Sequence, residues 1–233
     1  MRPTPLETPD LQADPDRLAR QLLDHYDRHG RDLPWRGISD LYAIWISEIM
    51  LQQTGVSVVI PYYTRFLERF PTVTSLADAS LDAVLSLWQG LGYYRRARHL
   101  HTAARLIQTK HGGEFPEEVD QVTALPGVGP STAHAILAIG REQRLPILDG
   151  NVKRVLSRLL AWPHPMGVSR HEKPLWTIAD LLTPEQRPGD YAQAIMDLGA
   201  TLCRRSRPQC ERCPWSGACR AFACQSVESF PVK

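Results

Sequence analysis

The chain has 233 residues, enough for one large domain or two small ones with a substantial core, and its formal net charge is only +2. That balance does not predict nucleic-acid binding by itself, so a DNA surface would have to come from local clustering. No window of about 20 residues is both apolar and unbroken, since Gln121 to Gly140 carries Pro126, Pro130 and glycines; the expectation is no membrane partner.

The N-terminal MRPTPLETPDLQADPD has neither the basic start nor the apolar stretch of a secretion signal. An intracellular protein with reduced thiols is expected, and its five cysteines then point to metal rather than to disulfides. Residues 1 to about 14, rich in Pro, Asp and Thr, are expected to be disordered. Helical spacing then begins, with Leu18, Leu22, Leu23 and Tyr26 on one face and Arg17, Asp24 and Arg28 on the other, ending near Gly30.

Asp32 to Arg36 reads as a proline-set turn, and Asp40 as the cap of a helix through LYAIWISEIMLQQT. Glu48 is the lone charge from Leu41 to Gln53, among Ile44, Trp45, Ile49, Met50 and Leu51. An acid so surrounded is expected to have a raised pKa, as a general acid needs, unless it reaches past the apolar face to water.

A further apolar helix (Val58, Val59, Tyr62, Tyr63, Phe66) leads to Pro71, and another runs from Ser80 to Trp88. Then LWQGLGYYRRARHLH sets Tyr93 and Tyr94 beside Arg95, Arg96 and Arg98. Such a cluster suits base stacking and phosphate pairing, or else tyrosine packing and a solvated arginine face. Almost every segment has a 3.6-residue apolar stripe broken by Gly or Pro, so the fold class is expected to be all-α.

LPGVGPSTAHAIL, from Leu125 to Leu137, is a glycine turn entering a helix, with Gly127 and Gly129 allowing close approach of the backbone. It fits a helix-hairpin-helix that grips a phosphate through backbone N–H groups, though an ordinary helix connection has the same look. Asp149 follows in LPILDGNV, with no other charge from Leu145 to Val152. A buried carboxylate is costly unless paired or used. Lys153, Arg154 and Arg158 recur on one side of the next helix, His164 and His171 read as surface residues, and Tyr191 to Leu202 is again helical.

Cys203, Cys210, Cys213 and Cys219 lie within seventeen residues, with one Cys-x2-Cys pair and longer arms on both sides. Four thiolates so close suit an iron–sulfur cluster or a tetrahedral zinc, and the uneven spacing favours a [4Fe–4S] cluster; Cys224 lies outside the pattern. Around them stand Arg204, Arg205, Arg207, Arg212 and Arg220 against one acid, Glu211, which is the local basic cluster the net charge hides.

In this order, WISEIMLQQT, LWQGLGYYRRARHLH, LPGVGPSTAHAIL, ILDGNVKRVL, YAQAIMDLGATLC and the cysteine loop resemble the adenine DNA glycosylase (MutY) family of the helix-hairpin-helix superfamily. The likeness covers about Leu33 to Cys219. It implies a two-lobed all-α fold with residues 1–32 packing on the cluster lobe, a six-helix lobe over 33–139, C-terminal helices and cluster loop over 140–225, and a tail over 226–233. The lesion would bind in the cleft between the lobes.

The resemblance further implies removal of adenine mispaired with 8-oxoguanine or guanine in double-stranded DNA, by a bacterial, cytoplasmic, nucleoid-associated monomer carrying a [4Fe–4S] cluster. Glu48 would protonate the extruded adenine, Asp149 would stabilise or transiently attack the sugar, and Asn151 would support Asp149. Arg36, Leu51, Gln193 and Ser131 would lie near the adenine, with Gln53, Thr54, Leu91 and Tyr93 at the wedge and the opposite base. Bifunctional relatives have a lysine where this chain has Ser131, so strand cleavage is not expected. His134 stands where the family usually has glycine. Family members commonly continue past this point into a domain that helps to recognise 8-oxoguanine. The alternatives are a thymine or uracil glycosylase for G·T and G·U mispairs, and a cluster-bearing DNA-binding module without chemistry.

Overall fold

The computed structural model describes residues 9–232, and every regular element among them is a helix. Residues 1–8, part of the segment expected to be disordered, lie outside the described residues. The chain forms two compact units, one being Asp32–Arg141 and the other the chain up to Arg31 together with the chain from Glu142 onward.

The first helix, α1 (Pro15–His29), starts as its sequence dictates: Asp14 caps it by accepting from the Asp16 N–H, and proline opens the first turn. Leu18, Ala19, Leu22 and Leu23 are buried, and Gly30 closes the last turn.

The Asp32–Arg141 unit is built around α2 (Leu41–Leu51), capped by Asp40 through a 2.9 Å bond from the Tyr42 N–H. Nine of its eleven residues are buried, Glu48 and Leu51 being the half-buried exceptions. A helix that is apolar nearly all round needs neighbours on several sides. It finds them in α3 (Val56–Arg69), α6 (Arg95–His111) and α8 (Pro130–Arg141), with α4 (Val73–Ala77) and α5 (Leu81–Trp88) packed on α6. The short α7 (Val119–Thr123) and α8 pack together across the Leu125–Gly129 turn, which is a helix-hairpin-helix.

In the other unit, α9 (Gly150–Leu160) packs against α10 (Ser169–Leu182), α11 (Pro188–Thr201) and α12 (Arg220–Ala223), while α1 packs on α10 and α11. The close approach of α9 and α11 depends on Gly199, where a Cβ would lie 2.6 Å from the Asn151 Cβ. The cysteine loop is tied to α1 by the buried Trp215, whose indole N–H donates to the Leu18 carbonyl at 2.9 Å.

One sequence expectation needs correction here. His171 is buried, not a surface residue; its Nδ1 is 3.0 Å from the Pro165 carbonyl, and its ring faces that of His164 at 5.0 Å. Arg158 is 2 % exposed. Of the three basic residues that recur on this side of α9, Arg158 is thus turned inward while Lys153 and Arg154 are half-buried.

Candidate functional site

In the Asp32–Arg141 unit, three stretches singled out by sequence are joined by named bonds. The helix through LYAIWISEIMLQQT stops at Leu51, because Gln52 leaves helical geometry with ψ 112° and Gln53 then takes a left-handed backbone with φ 59°. Gln52 Nε2 donates to the Gly127 carbonyl at 3.4 Å, linking this loop to the hairpin turn. The Leu91–Tyr93 turn lies at the start of α6, and Arg96 Nη2 donates to Thr54 Oγ1 at 3.0 Å and to the Gly92 carbonyl at 3.2 Å. Two loops far apart in sequence are thereby held by one guanidinium.

The residues of these loops differ in what they present. Gln53 is exposed, Thr54 is half-buried and Tyr93 is 58 % exposed. Leu91 is 5 % exposed, so the Gly-Leu-Gly turn offers Tyr93 outward and keeps Leu91 in the core. Arg96 is buried, which removes it from the expected phosphate-pairing set, whereas Arg95 and Arg98 are exposed. Arg36, Leu51, Ser131 and His134 are half-buried.

At the hairpin the two glycines divide. Gly127 has φ 82°, and a Cβ there would lie 2.9 Å from the His99 Cβ, so both backbone and space demand glycine. Gly129 has no positive φ, and a Cβ added there meets nothing within 4 Å. The expectation that a side chain at both glycines would obstruct thus holds within the chain for Gly127 alone.

In the other unit, Asp149 is the N-cap of α9, its Oδ1 accepting from the Val152 N–H at 2.8 Å. Burial pushes its carboxyl above the usual range, while the backbone N–H groups of Val152 and Asn151, and then Arg154 and Lys153, pull the other way. Asn151 Oδ1 accepts from Arg154 Nη2 at 2.8 Å; the same guanidinium donates to the Gly199 and Cys203 carbonyls, each at 2.8 Å. Arg154 thereby ties the Asn151 amide at the start of α9 to the carbonyls of Gly199 on α11 and of the first cysteine beyond it. Gln193 is buried on α11, and Lys153 is engaged by Glu172 at 2.8 Å.

Cys203, Cys210, Cys213 and Cys219 all line one small cavity, closed by Leu202, Phe222 and Val227 and backed by Arg158. Among the described residues, no three His, Cys, Asp or Glu side chains are gathered tightly enough for a single metal ion. The thiols surround a space rather than meet at a point. Burial pushes the Cys213 thiol up to about 12, and raises Cys210 and Cys219 as well. Arg158 Nη1 reaches Cys203 Sγ at 3.4 Å and the Arg204 carbonyl at 2.7 Å, so a buried cation organises the loop's first turn. Cys224 is exposed and stands apart from this lining.

Sequence reasoning missed the two buried arginines, Arg96 and Arg158. The available signal was weak: each is one cation within a run of basic residues on a helix, and its acceptors are carbonyls remote in the chain.

Comparison with known proteins places these features in context. Residues 46–177 match the HhH-GPD superfamily base excision DNA repair protein model. The chain is 44 % identical to an adenine DNA glycosylase of Buchnera aphidicola over 93 % of its own length, and 45 % identical to that of Mus musculus over 90 %. It spans 62 % and 42 % of the lengths of those relatives. Among solved structures, a thermostable thymine-DNA glycosylase superposes with a TM-score of 0.79 at 26 % identity, over 90 % of this chain and 97 % of that one.

Proposed function

Because the chain belongs to the HhH-GPD superfamily of base excision DNA repair proteins, we propose that it is a monofunctional glycosylase releasing adenine mispaired with guanine or 8-oxoguanine. The observation that carries the chemistry is Asp149, a desolvated carboxylate at the start of α9 that still receives backbone N–H donors. The adenine target is supported by the adenine glycosylase relatives at 44 % and 45 % identity, well above the 26 % of the thymine glycosylase structure.

In this reading the hairpin turn grips a phosphate of double-stranded DNA through its backbone, which positions the protein without reading sequence. Gln53, Thr54, Leu91 and Tyr93 belong to the loops at the opposite base, and extrusion of the adenine costs a few kcal/mol that insertion into the vacated stack offsets. Arg36, Leu51, Ser131 and Gln193 are the residues assigned to the extruded base by the family resemblance. Glu48 donates a proton to a ring nitrogen of adenine, so the bond to C1′ breaks with its electron pair leaving on a neutral base. Asp149, ionised, stabilises the positive charge left on the sugar, and Asn151 with Arg154 holds the start of α9 in place. Water then adds at C1′ and yields a proton to the Glu48 carboxylate, giving an abasic site and free adenine and restoring the acid. Position 131 is serine, so no amine is available there to form an imine with the opened sugar.

The four cysteines fit a [4Fe–4S] cluster as a donor set: four thiols line one cavity with apolar closure, in the uneven spacing that such clusters take. When bound, the cluster would supply thiolate–iron bonds that fix the loop bearing Arg204, Arg205, Arg207 and Arg212 for contact with the phosphate backbone. Among the described residues no helix is long and apolar enough to cross a membrane.

The test is a panel of duplexes carrying A, T or U opposite G and opposite 8-oxoguanine, scored for free base and for strand breaks without added base or heat. Release of adenine with intact strands is expected. Preferential release of thymine or uracil would replace the reading with the mismatch thymine glycosylase, and binding without release of any base would leave a DNA-binding module.

A further inference from the structure

Among the described residues of the Asp32–Arg141 unit, Arg96 is the one buried lysine or arginine. No carboxylate faces it. Its Nη1 donates to the carbonyls of Ile49 at 3.0 Å, Met50 at 2.6 Å and Gln52 at 2.6 Å, at the C-terminal end of α2 where helix carbonyls lack ladder partners further along. Its Nη2 donates to Thr54 Oγ1 at 3.0 Å and to the carbonyls of Leu91 at 3.4 Å and Gly92 at 3.2 Å. The rings of Trp88 and Tyr93 flank the guanidinium, each at 5.4 Å.

The acceptors fall at telling positions. Among the described residues of this unit, two that are not glycine have positive φ: Gln53 at 59° and Tyr93 at 50°. Each directly follows a carbonyl that Arg96 holds, those of Gln52 and Gly92. A left-handed backbone is disfavoured for residues with a Cβ and persists only where surrounding contacts impose it. Here the imposing contact is the same planar fork in both loops, which a lysine cannot reproduce because its ammonium is a single point. Gln53 and Tyr93 are both exposed, and their backbone turns set where they point.

Building on the glycosylase reading above, we infer that Arg96 is a positioning residue for base extrusion: by gripping the carbonyls before Gln53 and Tyr93 it holds both side chains in the strained geometry that enters the duplex. Arg96 touches neither base nor sugar. Its effect falls on the step before bond cleavage.

The experiment compares wild type, R96K, R96M and E48Q on two duplexes. One carries adenine opposite guanine and reports single-turnover release; the other carries 2-aminopurine at the target position and reports unstacking by fluorescence. E48Q is expected to unstack 2-aminopurine as wild type does and to release no adenine. R96K is expected to bind duplex within about threefold of wild type, and to lose both the unstacking signal and the release rate by about 10- to 100-fold, the scale of a small misplacement of positioning groups. Setting the target adenine opposite an abasic analogue lowers the cost of extrusion and should restore most of the R96K rate. A residue that merely supports the fold would give no substrate-dependent rescue.

Full unstacking by R96K or R96M, or an equal loss on every duplex, overturns the inference. So does failure of both variants to fold, judged by circular dichroism and melting. Wild type that unstacks 2-aminopurine but releases no adenine would instead sink the glycosylase reading, leaving the assignment of Arg96 to be decided by the fluorescence comparison.

Discussion

The helices carrying the two isolated acids place them in opposite electrostatic settings. Glu48 sits in the interior of α2, where backbone N–H groups are already committed to the helix ladder and the flanking residues Ser47, Ile49 and Met50 are buried. Asp149 sits just ahead of α9, where the first N–H groups have no ladder partner and one of them meets its carboxylate at 2.8 Å. The N-cap position gives a carboxylate direct backbone support as an anion even when it is desolvated. In the proposed reading, that difference in position goes with a division of work between a proton donor and a fixed negative charge.

Removing the proton donor is expected to do most. Glu48→Gln should lower single-turnover adenine release by about 10²- to 10⁴-fold while duplex affinity changes little. Turnover equal to wild type would break the contrast at once. Asp149→Asn comes next: asparagine caps a helix about as well as aspartate, so the fold should survive, but the charge is gone and release should fall by about 10²- to 10³-fold. If Asp149→Asn matched wild type in rate, the cap would be the sole role of this side chain.

The same variant sharpens the comparison through pH. Burial raises the Asp149 carboxyl above its ordinary value of 3.8, so ionisation is less favourable in the folded chain than in the unfolded one. With the folded value the higher, the unfolded chain sheds its proton first, and stability is lost as pH rises from 3.8 through the folded value. Asp149→Asn should therefore melt at or above the wild-type temperature near neutral pH. Its advantage should vanish as the pH drops below the ordinary carboxylate range. A wild type more stable than the variant at neutral pH would show that the N–H donors outweigh burial.

The smallest effects test the hairpin. Gly127→Ala forces a side chain onto a φ of 82° and against His99, and is expected to cost about 1–3 kcal/mol together with duplex affinity. Gly129→Ala has open space and should change stability by less than about 0.5 kcal/mol. Since the phosphate would approach the same turn, loss of binding in Gly129→Ala with unchanged melting would mark Gly129 as a ligand-approach position and not a folding one.

Much of this arrangement is legible in the chain. Helix starts at Asp14, Asp40 and Asp149 follow from capping chemistry, the all-helical class from the apolar stripe, and the enclosure of one cavity by four thiols from close cysteine spacing. These are local properties, fixed by residues within a turn or two of one another. The hairpin glycines show the boundary: Gly127 and Gly129 look equivalent in LPGVG, and the left-handed backbone at Gly127 together with His99, which approaches from α6, separates them.

The arginines show it more sharply. Arg95, Arg96 and Arg98 read as one basic group beside two tyrosines, as Lys153, Arg154 and Arg158 read as one basic stripe. Arg96 and Arg158 are nevertheless turned inward, each onto carbonyls supplied by segments more than forty residues away. A guanidinium satisfied by carbonyls leaves no complementary acid in the sequence to betray it, because every residue carries a carbonyl. Local spacing was therefore enough to place the helices, caps, turns and cysteines, whereas tertiary packing decided which cations face solvent and which are buried to hold loops in place.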